Sequence, residues 1–468
     1  MTKTTEIKFG TDGWRAKIAD DYTFDNVRRV TEAIAEYFKN SGTADKGIAI
    51  GYDNRFQSED FARTAAEVCA NSGIKTSLTK TSVASPVLSY AVNKYGHCCG
   101  IMITASHNPP EWNGVKIKES FGGSARPEVT KQVEQLVKLA PLTPTDDSKY
   151  EMIDPREDYL DHIAHFVDCK GIAERNLEVV VDPMHGSGSG YIKEIMAKYG
   201  MAITEIEEKR DPTFGGFNPE PLPVNLVELT SYMKEVGLKS KKIACGIALD
   251  GDGDRISAVD PSGTFINTQN VFCLLLKHLA VNRKMKGSVV KTFNITRIAQ
   301  KQAKKYGLKL HEVPIGFKHV VDIMMKEDVL LGGEESGGYG IYGNIPERDG
   351  SLCGLLLMEL MAYEQKTLKQ ILDELMDEFG YFYYDRVDLH VRSGLKPDLT
   401  QRLASTPSLG NKKVVSVEEL DGVKLNFEDE SWILFRPSGT EPLLRIYCEA
   451  RSFDDVELLL ESGRKLFQ

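Results

Sequence analysis

The sequence lacks the patterns of several common protein classes. Its eight cysteines include no Cys-x-x-Cys pair, so their spacing indicates neither a zinc site nor a disulfide framework. It contains no Gly-x-x-x-x-Gly-Lys-Ser/Thr motif of a P-loop and no Gly-x-Ser-x-Gly motif of an esterase. The longest apolar run, residues 352–363, is interrupted by Glu359 and is too short to span a bilayer.

The charge balance is acidic, with 58 Lys and Arg against 68 Asp and Glu and a net charge of −10. This argues against nonspecific binding to nucleic acid, because that affinity comes largely from Lys and Arg on phosphates. A local basic pocket for a small phosphorylated substrate is still compatible with it.

The cysteines lie mostly in apolar runs, which is typical of small buried side chains in a reducing cytosol. Residues 1–8 are polar and carry no apolar signal region. We therefore expect a cytoplasmic protein that does not bind membranes. Its oligomeric state, monomer or dimer, is left open by the sequence.

Strand-like apolar runs alternate with amphipathic helical segments along most of the chain. Residues 24–40 place Val27, Val30 and Ile34 on one helical face, and Thr23 can cap the start of this helix. Such alternation predicts parallel sheets with helices on both faces, and the ligands of such sheets bind beyond the carboxyl ends of the strands. Buried strands followed by Gly-rich or polar loops are predicted at residues 47–53, 99–103, 178–182, 243–250 and 329–331.

A chain of 468 residues is too long for one hydrophobic core, so three or four domains are expected. Polar or turn-forming segments at residues 139–154, 259–263 and 379–385 are candidate connections. The predicted domains are residues 1–153, 154–260, 261–378 and 379–468.

The last of these domains has a different order of predicted strands and helices. Residues 432–435 and 443–449 are predicted as two strands that flank a loop, and residues 453–467 as a closing helix. This order predicts a smaller α+β domain at the end of the chain.

Three aspartates alternate with glycines in the segment Asp250-Gly251-Asp252-Gly253-Asp254-Arg255. Carboxylates at this spacing can turn their oxygens onto one hard cation, because the glycines let the backbone bend tightly around it. An EF-hand calcium loop is excluded, since the twelfth position from Asp250 is Pro261 where that loop needs a glutamate. Oxygen ligands alone make Mg²⁺ the expected metal, and a solvated acidic turn is the alternative.

Residues 104–109, Thr-Ala-Ser-His-Asn-Pro, follow the predicted strand 99–103. A serine at the end of such a strand can act as a nucleophile or carry a phosphate, whereas a capped helix start or a plain loop is the alternative. His107 and Lys116 add a proton-transfer group and a cation nearby in the sequence. The hydroxyl of Ser106, a metal and Arg255 together indicate phosphoryl transfer.

Two further polar loops have groups that suit a sugar phosphate. Residues 333–338, Gly-Glu-Glu-Ser-Gly-Gly, can hydrogen-bond to sugar hydroxyls, with a tight acidic turn as the alternative. Residues 436–442, Arg-Pro-Ser-Gly-Thr-Glu-Pro, combine an arginine, two hydroxyls and accessible backbone N–H groups, which are the parts of an anion site. The glycine run at residues 186–190 lacks the spacing of a dinucleotide-binding loop, so tight strand-to-helix packing is expected there.

Along the chain, the serine loop (104–109) comes first, followed by the aspartate loop (250–255), the Glu/Ser loop (333–338) and the Arg-Pro-Ser-Gly-Thr loop (436–442). This order closely resembles that of the α-D-phosphohexomutase superfamily, which includes phosphoglucomutase and phosphomannomutase. The resemblance covers nearly the whole chain and includes residues 9–15 (Phe-Gly-Thr-Asp-Gly-Trp-Arg), 51–55 (Gly-Tyr-Asp-Asn-Arg) and 316–318 (Gly-Phe-Lys). It implies three similar mixed α/β domains and a smaller α+β C-terminal domain around a central cleft, each contributing one loop. The chain would be an isomerase of carbohydrate metabolism that acts on hexose phosphates.

The resemblance also implies roles for individual residues. Ser106 matches the serine that is phosphorylated in the active enzyme, and this phosphoserine would bind Mg²⁺ together with Asp250, Asp252 and Asp254. Positions near the phosphoryl group or the sugar are Arg15, His107, Lys116, Arg255 and Lys318, with Lys116 a candidate for proton transfer. The sugar-binding residues would be Glu334 and Ser336, and the residues for the non-reacting phosphate would be Arg436, Ser438, Gly439 and Thr440.

The sugar loop departs from part of the superfamily at one position. Many phosphomannomutases and phosphoglucosamine mutases end it in Ser-Gly-His, whereas this chain has Gly338, so that histidine's proton-transfer role is not carried over. This loop and the opening Gly-Thr-Asp-Gly-Trp-Arg resemble bacterial phosphoglucomutases more closely.

The expected reaction interconverts glucose 1-phosphate and glucose 6-phosphate through phospho-Ser106, with hexose 1,6-bisphosphate as intermediate and activator. Phosphomannomutase, dual-specificity phosphoglucomutase/phosphomannomutase and phosphoglucosamine mutase are the alternatives within the superfamily. A sugar-phosphate phosphatase and a catalytically silent sugar-phosphate-binding protein are the alternatives outside it.

Overall fold

The computed structural model describes residues 6–10, 13–137, 149–175, 177–390, 399, 403, 405–437 and 443–467. These residues form four β-sheets, of which the first three are mixed and flanked by helices, and the fourth is antiparallel. The chain passes through the four sheets in sequence order, so each sheet comes from one continuous stretch.

The first sheet has six strands in the order β1-β5-β4-β2-β3-β6. Strands β2, β3, β4 and β6 are parallel, whereas β5 runs antiparallel to β4 and β1 antiparallel to β5. The strands are β1 Trp14–Lys17, β2 Ile48–Tyr52, β3 Thr76–Thr79, β4 Cys99–Ile103, β5 Trp112–Glu119 and β6 Glu151–Ile153. The helices are α1 Phe24–Asn40, α2 Ser58–Asn71, α3 Ser85–Tyr95 and α4 Pro127–Leu136.

The second sheet has five strands in the order β11-β10-β9-β7-β8, with β7, β8 and β9 parallel and the other two strands antiparallel. The strands are β7 Glu178–Asp182, β8 Thr204–Glu205, β9 Ala244–Leu249, β10 Ile256–Val259 and β11 Phe265–Ile266. The helices are α5 Arg156–Ala164, α6 Cys169–Glu174, α7 Tyr191–Lys198 and α8 Val227–Lys239.

The third sheet has four strands in the order β13-β12-β14-β15, of which only β15 is antiparallel to its neighbour. The strands are β12 Ser288–Thr292, β13 Leu310–Val313, β14 Val329–Gly333 and β15 Tyr339–Ile341. The helices are α9 Thr268–Lys277, α10 Arg297–Lys305, α11 Phe317–Met324, α12 Gly350–Glu364 and α13 Leu368–Phe379.

These three sheets share one arrangement that positions the functional loops. In each, one strand of the parallel set is followed by a polar loop and then by an antiparallel strand: β4 to β5, β9 to β10 and β14 to β15. The parallel strands expected from strand–helix alternation are present, and each sheet also has an antiparallel edge that the alternation did not predict. The reason is that a short polar loop reverses the chain here, whereas a parallel neighbour would need a long crossover.

The C-terminal sheet is antiparallel throughout, in the order β16-β21-β20-β19-β18-β17, and α14 Phe453–Lys465 packs against it. This confirms the smaller α+β domain at the end of the chain. Its strands are β16 Tyr383–His390, β17 Ser408–Leu409, β18 Lys412–Glu418, β19 Val423–Phe427, β20 Trp432–Pro437 and β21 Leu443–Ala450.

The largest apolar core joins the first three sheets, and its residues come from all of them. Helix α12 is buried in this core on nearly every face, which explains why its sequence reads as one apolar run without amphipathic spacing. Among the described residues, no helix combines the length and apolarity that a bilayer crossing needs. The C-terminal sheet has a separate core of its own.

Several local predictions are confirmed. Helix α1 spans the predicted residues, and the Thr23 side chain accepts from the Asn26 N–H as its cap. All eight cysteines are buried and unpaired, as expected of small apolar side chains.

Two predicted connections look different in the structure. Part of the segment 139–154 forms the edge strand β6, because residues 151–153 pair with β3, while residues 138–148 lie outside the described residues. The turn at residues 259–263 links β10 to β11 within the second sheet, so the boundary predicted at residue 260 falls inside a hairpin.

Candidate active site

The serine loop follows β4 at the carboxyl end of the first sheet. Ser106 is 1% exposed and has φ of 52°, a left-handed conformation that is uncommon for a residue with a side chain. Its N–H donates to Thr104 Oγ1 at 2.9 Å, and Thr104 Oγ1 donates to Asp53 Oδ2 at 2.6 Å. The loop is therefore a tight turn that presents the serine hydroxyl, and neither a helix start nor a loose loop.

The fully buried Arg55 holds this turn in place. Its guanidinium pairs with Asp53 at 3.2 Å and donates to four backbone carbonyls between residues 106 and 112, in the serine loop and at the start of β5. A strained backbone conformation persists only where its surroundings fix it, and five contacts from one rigid group do so here. The carbonyls are those of Ser106 at 2.6 Å, Asn108 at 2.7 Å, Pro109 at 2.8 Å and Trp112 at 3.0 Å.

The metal loop joins β9 to β10 and brings its three aspartates together. Asp250, Asp252 and Asp254 are fully buried and can each offer a carboxylate oxygen, all within 4.8 Å of one another. Asp250 Oδ1 accepts the N–H groups of Asp254 and Arg255, both at 3.0 Å. Asp250 Oδ2 accepts the Ser106 hydroxyl at 2.8 Å, so the serine lies directly at the carboxylate cluster.

The other two aspartates are each anchored through one oxygen. Asp252 Oδ2 accepts Ser85 Oγ at 2.5 Å and Lys116 Nζ at 2.8 Å. Asp254 Oδ2 accepts Lys116 Nζ at 3.1 Å and pairs with Arg348 at 2.9 Å. Both Oδ1 atoms are buried and have no hydrogen-bond partner among the described residues. Buried carboxylate oxygens without a donor are what a site for a hard cation provides.

The electrostatics of the cluster favour a cation as well. Burial, followed by the charges of Asp254 and Asp252, raises the pKa of Asp250 well above its ordinary value. Burial acts in the same direction on Asp252, but Lys116, Ser85 and Arg348 together outweigh it and hold the pKa of Asp252 below its ordinary value. Three carboxylates this close stay ionised together only beside positive charge.

Glycines let the metal loop approach the other loops closely. A Cβ on Gly251 would lie 2.6 Å from the Ser106 carbonyl oxygen, and a Cβ on Gly186 would lie 2.8 Å from the Gly251 carbonyl oxygen. The glycine run therefore packs against the metal loop at Gly186, and the strand-to-helix packing expected for residues 186–190 stays a prediction. A side chain at Gly186 or Gly251 would push the serine and the aspartates apart.

Four basic side chains predicted from the sequence lie around Ser106 and the aspartates. Lys116 is 1% exposed on β5, and Arg255 Nε lies 3.9 Å from both Asp250 Oδ2 and Asp254 Oδ1. Arg15 donates to Asn108 Oδ1 at 2.6 Å, beside the serine. His107 Nδ1 lies 3.4 Å from Ser106 Oγ, and burial followed by Arg255 and Arg15 lowers the pKa of His107 well below its ordinary value, so its ring is neutral near pH 7.

The sugar loop between β14 and β15 is attached to the metal loop through the backbone. The Ile256 N–H donates to the Gly337 carbonyl at 3.0 Å, and Arg255 pairs with Gly338 as an isolated bridge. Glu334 Oε2 lies 3.3 Å from Arg348 Nη1. Ser336 Oγ is buried and has no hydrogen-bond partner within the described ranges.

Arg348 was missed by the sequence analysis. It lies between β15 and α12, is 3% exposed on its side chain, and connects Asp254 of the metal loop with Glu334 of the sugar loop. A Cβ on Gly338 would lie 2.2 Å from Arg348 Cδ, so the arginine stem occupies the space of a side chain at that position. This explains physically why position 338 is a glycine in this chain.

The C-terminal sheet contributes Arg386, which was also missed. Its guanidinium lies 3.6 Å from Glu335 of the sugar loop and 3.7 Å from Glu220 of the second sheet's loops. Glu220 lies in turn 4.0 Å from Arg255. Tyr384 donates to Glu335 Oε1 at 2.8 Å, so the start of β16 contacts the sugar loop twice.

The predicted phosphate loop begins at the end of β20. Arg436 Nε donates to Asp421 Oδ2 at 3.0 Å, and the same oxygen accepts the Ile315 N–H at 2.9 Å. Ile315 lies two residues before α11, which begins at Phe317 and carries the half-buried Lys318 in its first turn. The two predicted cations Arg436 and Lys318 therefore belong to adjoining segments. Ser438, Gly439 and Thr440 lie outside the described residues.

The structure thus brings the predicted serine and aspartates together with Arg15, Lys116 and Arg255, and adds residues that no single motif signalled. Arg55 stands in the segment 51–55 that was quoted only for its resemblance. Nothing in the sequence around Arg55 indicated that its side chain would be buried and would bind four carbonyls 51 to 57 residues away. The residues added by the structure are Arg55, Ser85, Glu220, Arg348 and Arg386.

Comparison with known protein families gives four matches along the chain. Residues 6–141, 157–263 and 267–379 match the phosphoglucomutase/phosphomannomutase alpha/beta/alpha domains I, II and III, respectively. Residues 401–464 match the C-terminal domain of the same family.

Full-length relatives agree with these matches. The chain is 29% identical to a phosphoglucomutase/phosphomannomutase of Thermococcus kodakarensis, with 98% of both chains covered. It is 31% identical to a phosphoglucosamine mutase of Methanococcus maripaludis, with 97% of both chains covered. A crystal structure from Thermus thermophilus, provisionally named as a phosphomannomutase, superposes with a TM-score of 0.89 at 34% identity and 99% coverage of both chains.

The matched domains cover most of the chain. The relatives carry mutase names, and the match extends over nearly their whole length. The fold confirms three mixed α/β domains followed by a smaller one. The chain therefore belongs to the phosphoglucomutase/phosphomannomutase family and is an isomerase of the phosphohexomutase superfamily.

Proposed function

We propose that this protein interconverts a hexose 1-phosphate and a hexose 6-phosphate through a phosphoryl group carried on Ser106. The observation that carries the proposal is the contact of 2.8 Å between Ser106 Oγ and Asp250 Oδ2, inside a cluster of three buried carboxylates. A hydroxyl held this close to a cation site is placed to accept and return a phosphoryl group.

The residues present fit a magnesium ion. Asp250, Asp252 and Asp254 would hold it with the phosphorylated Ser106, and the buried Oδ1 atoms of Asp252 and Asp254 have no donor in the described part of the chain. When bound, Mg²⁺ draws charge from the phosphoryl oxygens. Lys116 and Arg348 anchor the opposite carboxylate oxygens, which fixes the orientation of both aspartates.

The surrounding side chains then have distinct tasks. Arg255 and Arg15 add positive charge beside Ser106, where negative charge accumulates in phosphoryl transfer. Lys116 and the neutral His107 are the candidates for moving the proton of the sugar hydroxyl. Ser106 is 1% exposed, and this burial protects its phosphoryl group from water.

The two ends of the substrate would lie on opposite loops. Glu334 and Ser336 would accept and donate hydrogen bonds to sugar hydroxyls, and Lys318 of α11 would contact the sugar or its phosphoryl group, as the resemblance implies. Arg436, with Ser438, Gly439 and Thr440, would hold the phosphate that does not react. Exchange of the two phosphates requires hexose 1,6-bisphosphate to reorient between these loops. The bisphosphate would therefore serve as both intermediate and activator.

We propose glucose phosphate as the preferred substrate, on the resemblance of the loop that ends in Gly338 to bacterial phosphoglucomutases. A phosphoglucosamine mutase is the second candidate, because the relative from Methanococcus maripaludis carries that name. The stem of Arg348 occupies the space of a side chain at position 338, so the loop of this chain ends in a glycine under both candidate functions.

Turnover of a substrate panel tests the proposal. Wild-type protein, Mg²⁺ and a bisphosphate activator are assayed with the 1-phosphates of glucose, mannose, glucosamine and N-acetylglucosamine. Formation of the 6-phosphate isomer is expected, fastest with glucose. Release of inorganic phosphate without isomer would indicate a phosphatase, and binding without reaction would indicate a silent sugar-phosphate-binding protein.

Two variants separate the roles of the loops. Ser106→Ala should lose turnover with every sugar, because it removes the hydroxyl that contacts Asp250. Arg436→Ala should raise KM for the hexose phosphate and leave the Mg²⁺ requirement unchanged. Undiminished turnover of Ser106→Ala would refute the role of the serine, and a changed metal requirement in Arg436→Ala would refute the role of the phosphate loop.

A further inference from the structure

Strand β5 delivers two buried lysines to different parts of the molecule. Lys116 and Lys118 are two residues apart, so both point to the same face of the strand. Lys116 binds the aspartates of the metal loop, whereas Lys118 binds Glu347, which follows β15 of the third sheet. Neither lysine is more than 1% exposed. Only the first has a role in the proposed reaction.

The pair of Lys118 and Glu347 is completely enclosed. Lys118 Nζ lies 2.5 Å from Glu347 Oε2, and both side chains are 0% exposed. Ser124 Oγ donates to the same oxygen at 2.8 Å. Burying two charges carries a desolvation penalty that an apolar pair would avoid, so an enclosed ion pair is weak evidence for a role in stability alone.

The second oxygen of Glu347 points to a different role. Glu347 Oε1 accepts the backbone N–H of Arg348 at 3.0 Å and lies 3.3 Å from its Nε atom. The lysine therefore fixes one oxygen of the carboxylate, and the other oxygen binds the Arg348 backbone and lies at ion-pair distance from the near edge of its guanidinium. A planar guanidinium held along one edge has little freedom at its two remaining nitrogens.

Those two nitrogens contact the two functional loops. Arg348 Nη2 lies 2.9 Å from Asp254 Oδ2, and Nη1 lies 3.3 Å from Glu334 Oε2. The stem of the arginine packs where a Cβ on Gly338 would lie, and its guanidinium carbon stands 5.3 Å from the centre of the Phe317 ring. One side chain thus spans the metal loop and the sugar loop and is enclosed on the sides away from them.

We propose that Lys118 and Glu347 are positioning residues that act through Arg348 on the metal loop. Their ion pair fixes the orientation of the Arg348 guanidinium. The guanidinium in turn holds Asp254 Oδ2, so that Asp254 Oδ1 is directed into the carboxylate cluster. This inference rests on the proposed function only in taking the cluster as the site of the catalytic cation. It predicts that a residue of the first sheet, outside the cluster, controls how tightly the cluster binds metal.

Metal binding without turnover is the direct test, with Mn²⁺ as a spectroscopic probe. Lys118→Met removes the charge, keeps most of the stem and leaves Glu347 free to turn away from Arg348. The Mn²⁺ dissociation constant should rise about 10-fold, in the range found when residues that orient metal ligands are replaced. Turnover should fall with a higher Mg²⁺ requirement, and Lys118→Arg should recover part of both losses.

A double variant separates positioning from stability. Lys118→Met combined with Glu347→Gln leaves no unpaired buried charge, so its thermal midpoint should return close to that of the wild type. Its Mn²⁺ affinity should stay low, because Arg348 has lost its carboxylate. If Lys118→Met alone does not fold, the Mn²⁺ affinity of the double variant still shows whether the ion pair positions Arg348.

Tyr159→Phe is the matched control. Tyr159 is fully buried and donates to Asp349 Oδ1 at 2.9 Å. Asp349 is the residue that follows Arg348 in the chain. Its loss should lower the thermal midpoint and leave the Mn²⁺ affinity at the wild-type value.

Two results would overturn the positioning role. One is wild-type Mn²⁺ affinity in Lys118→Met, and the other is recovery of both stability and affinity in the double variant. Failure of the wild type to isomerise any hexose phosphate would refute the proposed function and would leave the Mn²⁺ comparison valid, since that measurement needs no turnover.

Discussion

The three mixed sheets and the C-terminal sheet are built differently. The first three are joined by one shared apolar core in addition to smaller cores of their own, and their serine and metal loops contact each other directly. The C-terminal sheet has its own core and meets the third sheet through a small apolar cluster around Phe293 and Trp432. Its remaining contacts with the sugar loop are polar, through Tyr384 and Arg386.

This difference indicates a division of labour. Phosphoryl transfer needs a hydroxyl, carboxylates and cations held to a fraction of an ångström, which a shared core provides. The loop that would hold the distal phosphate belongs to a separately folded unit joined mainly by polar groups. Substitutions in the first region should therefore affect stability and chemistry together, and substitutions at the second should affect mainly substrate binding.

The largest effect is expected from Asp252→Asn in the metal loop. The amide has one acceptor fewer for Lys116 and Ser85 and no charge for a cation, so kcat/KM should fall about 1,000-fold, as for the loss of other electrostatic groups in buried sites. Steady-state assays at saturating Mg²⁺ measure this. Asp388→Asn on β16, a half-exposed aspartate 3.8 Å from Arg445, is the matched control and should keep its activity.

The next largest effect is expected from Arg55→Met. It leaves Asp53 buried without its cation and four carbonyls of residues 106–112 without this donor, so the free energy of unfolding should fall by about 3–5 kcal/mol. Chemical denaturation measures this loss. Arg55→Lys keeps the charge but cannot reach all four carbonyls, so it should recover stability more than turnover. Equal recovery of both would show that the arginine acts only as a charge.

Arg386→Met tests the polar contacts of the C-terminal sheet. Its partners Glu335 and Glu220 lie 3.6 and 3.7 Å away and its side chain is 32% exposed, so stability should change by less than about 1 kcal/mol. KM for the hexose phosphate should rise several-fold while kcat changes less. A loss of kcat with unchanged KM would mean that this sheet takes part in the chemical step, which would contradict the division proposed above.

The smallest effect is a pH dependence at the same interface. Burial, followed by the charge of Lys291, lowers the pKa of Lys424 to about 7. The unfolded chain therefore binds more protons than the folded one between about pH 7 and pH 10 at this group, so its contribution to stability rises with pH in that window. Lys424→Met should remove this part of the slope, which thermal unfolding at a series of pH values would show.

Much of this organisation was predictable from the sequence because it is local. The strands, helix α1 with its Thr23 cap, and the alternating aspartates are set by short-range patterns, and the four loops occur in an order that identifies the family. Long-range contacts were not predictable in the same way. Arg348 is an ordinary charged residue in its own segment, and only the fold shows that it joins Asp254 to Glu334.

The antiparallel edges of the sheets show the same limit. A run of apolar residues predicts a strand, but its direction depends on the length of the connection and on the neighbour it pairs with. The role of Arg55 likewise depends on carbonyls that come within reach only once the serine loop has folded. Motifs therefore pointed to the candidate site, whereas the residues that hold its loops in place required the structure.

The central claim is that Ser106 carries the phosphoryl group. Incubation of the protein with Mg²⁺ and glucose 1,6-bisphosphate, followed by quenching and peptide mass spectrometry, tests it directly. The account predicts one phosphate on Ser106, which added hexose 6-phosphate removes with formation of the bisphosphate. A phosphate on another residue that exchanges with the sugar, or isomerisation with Ser106 never phosphorylated, would contradict it.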